Sequence, residues 1–566
     1  MTPKMLSFRI LVVGMLCLWF VLAKELGFMK SPFKLPCLAY VFFSLLATFR
    51  AVSMFECFGS EYLPHVIALS FFVILVHKLI QGNTRLVSLS ILIVAVIGLL
   101  TGIYGIHQGL GFVDVFIGQR LVGAEQGPVS FMGNTNFAAN YLLLALPVVS
   151  MMLLAIDGGA RISLMLMPVV TSSMIYGYLK FPWALHFTLV GTVGILILCF
   201  RTPNVPKAML YALSSITMSV YMGFTQARFA NMGTMLAMGV MLAIGLYLRF
   251  IPWMCHFKFG QSKSSLPANL FTGPFLSMIL VAFLLAFDLV AIRFKTDRSE
   301  MMQWGMNLSS GLFLFALLTL FLQTLRFPLS EAARAAAASD KTPLPRSTPH
   351  QNDQRNLPDV LARWQTTYRK VVLVCLVIGI IAGLAVAPRV HQAIIKVPSF
   401  VFRLECWRSA GRTIADNFFL GIGPGHFKII HPIYTSHLEN SVLGVERLAR
   451  KVHNDFMAVW IEYGLGAMIA FFWFLVLIGM MLFYIFRRLD VFKTNPEVFD
   501  AQQTRYHFYL ALGLVGAFVG TLFQANGESN FLQPASTIQI WFFAGLIASI
   551  YLRLRPGNGS FLDRIS

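Results

Sequence analysis

Long apolar runs broken by short polar links set the rhythm of this chain. The runs lie near 9–23, 35–49, 62–80, 86–106, 137–156, 162–179, 183–199, 208–224, 232–251, 274–292, 308–326, 371–388, 456–486, 506–525 and 534–552. Most have about the 17 to 25 residues that a helix needs to cross the hydrocarbon of a bilayer. No segment alternates apolar and polar residues as the strands of a membrane barrel do. The pattern predicts an all-α polytopic integral membrane protein. Polar stretches at 327–370 and 389–455 divide it into an N-terminal transmembrane bundle (1–326), a linker (327–370) and a C-terminal transmembrane module (371–566).

Charge gives the runs a direction. The linker 327–370 carries seven Lys or Arg among Pro, Ser and Gln, which marks it as cytoplasmic and flexible. Run 371–388 then leads outward, and the 67 residues of 389–455 form one large extracytoplasmic loop. Counting on, "QANGESNFLQPAS" lies outside. Counting back, residues 107–136 and the link around Arg228 lie outside, while "HKLIQGNTR" and "RTPNVPK" lie inside. Run 35–49 is short for a crossing. Read as re-entrant, it gives about 14 transmembrane helices and an inside N-terminus; read as a span, it gives fifteen and an outside N-terminus. We adopt the first as the expectation.

Composition supports this picture. Hydrophobic residues make up 57% of the 566 and charged ones 12%, with a mean hydropathy of +0.72; a soluble fold cannot hide that much apolar surface. The net charge of +20 sits mostly between runs, with no basic helix interleaved with aromatics, so no nucleic acid partner is implied. Seven scattered cysteines without a CxxC suggest neither a disulfide framework nor zinc. The N-terminal run lacks a convincing small-residue cleavage site and reads as a retained helix.

The chemistry concentrates in the predicted outer segments. Loop 389–455 holds nine Lys or Arg and five of the twelve histidines. Long loops translocate regardless of charge, but guanidinium groups such as Arg403 also suit an outward-facing phosphate site. "GIGPGHF" sets Gly421, Gly423 and Gly425 at alternate positions, either as a plain turn or as successive amides that cradle an anion. His426, His431, His437 and His453 have no metal-ligand spacing, so no metal is expected. His453, Asn454 and Asp455 stand directly before a span. Taken alone, the histidine reads first as an interface or cap residue and second as a proton acceptor. Arg120, Asn136 and Arg228 lie in two other outer segments, where N-capping and snorkelling are the structural alternatives. Asp288 and Glu462 are ionisable groups in or beside spans.

In order, these segments resemble the O-antigen ligase family, with the related O-antigen polymerases and bacterial protein O-oligosaccharyltransferases. "GIYGIHQ" precedes Arg120 and "GNTNFAANYL". "TQARFANMGTMLAMG" resembles the family's Ser-Arg-Gly helix start, with Ala227 and Phe229 flanking the arginine instead. "FRLECWRSAGRTIADNFFLGIGPGHF" is similar to its arginine, tryptophan and glycine loop, and "HNDFMAVWIEYGLGA" to its His-Asn motif, with Ala467 in the last variable position. The resemblance implies a GT-C-type glycosyltransferase, inverting, metal-independent and without a cofactor. It sits in the bacterial inner membrane with its site facing the periplasm. The donor would be a glycan on undecaprenyl pyrophosphate, and the acceptor a lipid A-core or other hydroxyl. On this reading His453 is the base, and Arg228, Arg403 and Arg120 bind the donor pyrophosphate. Asn454, Glu462, Gly421, Gly423, Gly425, Trp407 and Asn136 support them. A polysaccharide polymerase is the nearest alternative. A lipid or polysaccharide transporter is the alternative from another class, though no internal repeat of the kind transporters carry is visible.

Overall fold

The computed structural model describes residues 3–21, 31–59, 62–80, 83–109, 129–132, 134–156, 205–225, 227, 230–234, 236–241, 244, 398–435, 449, 451–492, 501–529, 531 and 534–554. The linker 327–370, Asp288, His437, Arg120, Arg228 and the runs 162–179, 183–199, 274–292, 308–326 and 371–388 lie outside the described residues.

Among the described residues there is no strand, and ten helices have fourteen residues or more. They are α1 (Pro3–Val21), α2 (Lys34–Ala47), α3 (Leu63–Ile80), α4 (Thr84–Gly109), α5 (Thr135–Ala155), α6 (Val205–Thr225), α7 (Pro398–Asp416), α8 (Asp455–Phe492), α9 (Ala501–Gln524) and α10 (Pro534–Arg553). Seven of them, α3, α4, α5, α6, α8, α9 and α10, are long and apolar enough to cross a membrane.

Small residues let the helices approach closely, as spans do where lipid removes any hydrophobic drive between them. Gly98, Gly102, Gly105 and Gly109 of α4 face Met218, Thr217, Tyr221 and Phe224 of α6. A Cβ at Gly105 would lie 2.1 Å from the Tyr221 ring. The order of these contacts makes α4 and α6 parallel. Gly513 and Gly520 of α9 meet Val148 and Leu143 of α5, an antiparallel pair. Gly545 of α10 lies against Val76 of α3, and Phe542 stacks on Phe72, a parallel pair. The two halves of the sequence therefore share one core. α9 and α10, from the second half, pack on α5 and α3 from the first.

These directions bring described parts of three of the predicted outer segments to one end of the bundle. Asn136 at the start of α5, residues 398–435, the approach to α8 and the α9–α10 link all meet there through hydrogen bonds. α2 departs from the re-entrant expectation. Ser31 just before it lies 3.1 Å from His77 near the end of α3, while Arg50 just after it donates to Asn417 at the opposite end, 3.3 Å away. α2 thus runs between the two ends. Its fourteen residues span only about 21 Å at roughly 1.5 Å each; the turn at Ser31–Phe33 and the 3-10 turn Thr48–Arg50 extend it.

α8 is broken. Gly464 adopts φ 79°, ψ 180°, a conformation essentially reserved for glycine, and separates a first segment from the long remainder. A break inside an apolar helix frees backbone groups that must find partners. The loop 417–425 supplies them. Ile422 and Gly423 donate to the carbonyls of Ile461 and Glu462 at 2.8 and 3.1 Å, and Leu465 donates to the Phe418 and Phe419 carbonyls at 3.2 Å.

Candidate functional site

The polar cluster at the crowded end is built on the short link between α9 and α10. Each member of the His453-Asn454-Asp455 stretch docks on that link. The Asp455 N–H donates to the Ala525 carbonyl at 2.9 Å, and its carboxylate accepts the Phe531 N–H at 3.0 Å. Asn454 donates to the Asn526 carbonyl at 3.3 Å while its own Oδ1 accepts the Met457 N–H at 3.1 Å, the geometry of an N-cap. The stretch that opens the span is therefore both a helix cap and a clamp on a second loop.

His453 faces Glu528. Its Nδ1 lies 3.3 Å from Glu528 Oε2. With the proton assigned to Nδ1 on this pairing, the imidazole acceptor is Nε2. A carboxylate so placed fixes the ring's tautomer and orientation. The backbone at His453 has φ 55°, a left-handed conformation that histidine tolerates better than most residues. The segment before it is held by α7. The Trp407 indole N–H donates to the Val452 carbonyl at 3.1 Å, and the Phe402 ring stands edge-on to the imidazole at 6.0 Å.

Glu528 also forms an ion pair with Arg403 of α7 and accepts the side-chain N–H of Asn136 at 3.3 Å. One carboxylate thus gathers an arginine, a histidine and an amide from three segments far apart in sequence. Burial alone would raise the Glu528 carboxyl. The hydrogen bond from His453 and the charges of Arg403 and His453 outweigh it, and hold the group below its ordinary value of 4.5. The pairing accordingly adds stability that is present above the unfolded carboxylate range and is lost as pH falls through the depressed folded value. Thermal midpoints of the detergent-solubilised chain are expected to fall on acidification below about pH 4.5. Glu528→Gln should remove part of that slope; an unchanged slope would mean that Glu528 carries none of it.

The glycine loop proves to be an anion cradle filled from within. Gly421, Gly423 and Gly425 have φ of 69°, 98° and 77°. The amide of Gly425 donates to the buried Glu462 carboxylate at 3.0 Å, and that of Gly421 to the Asn417 carbonyl at 2.9 Å. With Ile422 and Gly423 already serving the broken helix, these amides hold the chain's own oxygens rather than a ligand phosphate. Glu462 supports the loop from the first segment of α8, seven residues after Asp455. His426 is also internal: its Nε2 accepts the Ser53 N–H at 2.9 Å, and its Nδ1 donates to the Pro424 carbonyl at 3.0 Å. His431 stacks on Phe427. The described histidines of the outer loop therefore serve separate positions.

Of the predicted site residues, the structure brings together Arg403, His453 and Asn136, with Trp407 and Asn454 bracing them. Gly421, Gly423, Gly425 and Glu462 form a neighbouring brace, and Arg120 and Arg228 lie outside the described residues. Glu528, the hub, was missed by sequence reasoning. It belongs to no motif, and its one signal is an acid in a short outer link between two apolar runs. In sequence the chain matches no family model and no curated protein, so the reading of this cluster stands on its own residues.

Proposed function

We propose that the chain is a membrane glycosyltransferase of O-antigen ligase type, acting from the periplasmic side of a bacterial inner membrane. It would transfer a glycan from an undecaprenyl pyrophosphate carrier to a hydroxyl of lipid A-core or a comparable acceptor. The observation that carries this reading is the Glu528 hub, which joins Arg403, His453 and Asn136 from three of the four segments that resemble the family. The same hub supports roles for them. His453 Nε2 takes the proton from the acceptor hydroxyl, while Glu528 orients the ring. The leaving pyrophosphate needs electrostatic support as charge develops. Arg403, Arg228 and Arg120 are the residues we assign to that support, because a guanidinium stays charged and presents a bidentate fork to phosphate oxygens.

The test uses purified chain and a lipid-pyrophosphate glycan donor. His453→Ala and Arg403→Ala, each still inserted and folded, are expected to lose transfer by at least about 100-fold, the scale of a lost general base or charge stabiliser. Wild-type rates in both variants would overturn the assignment. No transfer by the wild-type chain, with accumulation of donor in neither leaflet of reconstituted vesicles, would dispose of both the enzyme and the transporter readings.

A further inference from the structure

We infer that the segment between α2 and α3 and the turn after α7 form a ledge immersed in the acyl chains of the membrane, which sets the depth of the site. The two pieces are fastened together. Arg50 donates to Asn417, the Ser53 N–H donates to His426, and Lys428 pairs with Glu56 at 2.8 Å. Ala51 seats on Gly423 so closely that a Cβ there would lie 2.7 Å from its methyl. Yet the ledge turns large apolar side chains outward. Phe55 is 88% exposed, Phe49 77% and Phe419 75%, with Val52, Phe58 and Leu420 beside them. Exposed apolar residues on this scale require a cover.

Continuity identifies the cover as lipid. Leu38, Phe42, Leu45 and Phe49 recur at helical spacing along the outer stripe of α2 and lead directly into the ledge. α2 packs along α8, whose own outer face carries exposed Ile469, Phe472 and Val476. α8 is long and apolar enough to cross a membrane, so this joint surface is a lipid-facing one. At its upper edge stands Trp460, its indole N–H bonded to the Phe418 carbonyl at 3.1 Å, with the amphipathic placement that tryptophan favours at a membrane boundary. The backbone of Phe419 and Leu420 abuts Gly464. The first segment of α8, from Asp455 to the break, then raises the polar cluster no more than about 14 Å above the ledge, at roughly 1.5 Å per residue. That is head-group height. A phosphate group attached to a membrane lipid meets the cluster there with its tail still in the bilayer. The link to a pyrophosphate rests on the proposed function; the depth of the ledge does not.

Photo-crosslinking of the full chain in native membranes tests the inference separately from transfer. Benzoylphenylalanine is placed at position 55, at 419 and, as a polar reference, at Asn526, and adducts are identified by mass spectrometry. Acyl-chain adducts at 55 and 419 with none at 526 are expected. Crosslinks from 55 and 419 to another segment or to a second copy would overturn the inference, as would no lipid adduct at either. Retained or lost glycan transfer does not enter this outcome.

Discussion

Glu528→Ala is expected to abolish the proposed glycan transfer and to lower stability by about 3 kcal/mol, the scale of removing one member of a largely buried ion pair. The Arg403 and Glu528 side chains are 15% and 11% exposed, so removing the carboxylate leaves a guanidinium with little access to water. It also frees the imidazole of His453 to turn and releases the side chain of Asn136. Glu528→Gln separates the two effects. The amide keeps the shape and one acceptor oxygen, but presents N–H to a group that already donates. It should fold with a smaller loss of stability while transfer still falls by about 100-fold or more. Thermal unfolding in detergent and single-turnover transfer measure the two quantities. A Glu528→Gln chain with normal stability and normal transfer would remove Glu528 from the site.

Gly464→Ala is the second large effect expected, and it acts through the fold. At φ 79°, ψ 180° a side chain costs about 1–3 kcal/mol in strain alone. The added Cβ would also lie 2.3 Å from the Phe419 carbonyl oxygen and 2.7 Å from the Leu420 backbone, atoms that cannot step aside without moving the loop. Displacing that loop breaks the bonds from Ile422, Gly423 and Leu465 that satisfy the broken helix. The sum predicts a loss of at least about 3 kcal/mol and poor accumulation in the membrane. Gly479→Ala provides the contrast on the same helix. Nothing lies within 4 Å of its Cβ, so it should be neutral or stabilise by up to about 1 kcal/mol. Equal thermal midpoints for the two variants would show that the break at Gly464 carries no structural weight.

These two residues mark the boundary of what could be read from the chain. Gly464 sits in a motif that drew notice for its histidine, and its sequence signal is a glycine inside an apolar run. What the glycine does depends on Phe419 and Leu420, more than forty residues earlier. The three loop glycines invited a phosphate cradle, and their left-handed conformations suit one. Which oxygen fills the cradle was decided by the packing of α7 and its following turn on α8, which delivers Glu462. The re-entrant expectation for 35–49 came from length alone. Length does not reveal that Ser31 reaches His77 at one end while Arg50 reaches Asn417 at the other.

The sequence by itself determined the helical class and the presence of membrane-length apolar runs. These follow from local properties: the length of the apolar runs and the helical spacing within them. Asn136, His453 and Asn454 were legible because each stands at the edge of an apolar run where polarity is costly, whereas Arg403 drew notice as a guanidinium in the long basic loop and Trp407 only through the resemblance. The tertiary structure decided which of them meet. Glu528 became the hub because α9 and α10 pack on α5 and α3, and that packing carries a short link to the start of α8. No spacing along the chain records this, because contacts between segments hundreds of residues apart are set by shape and burial.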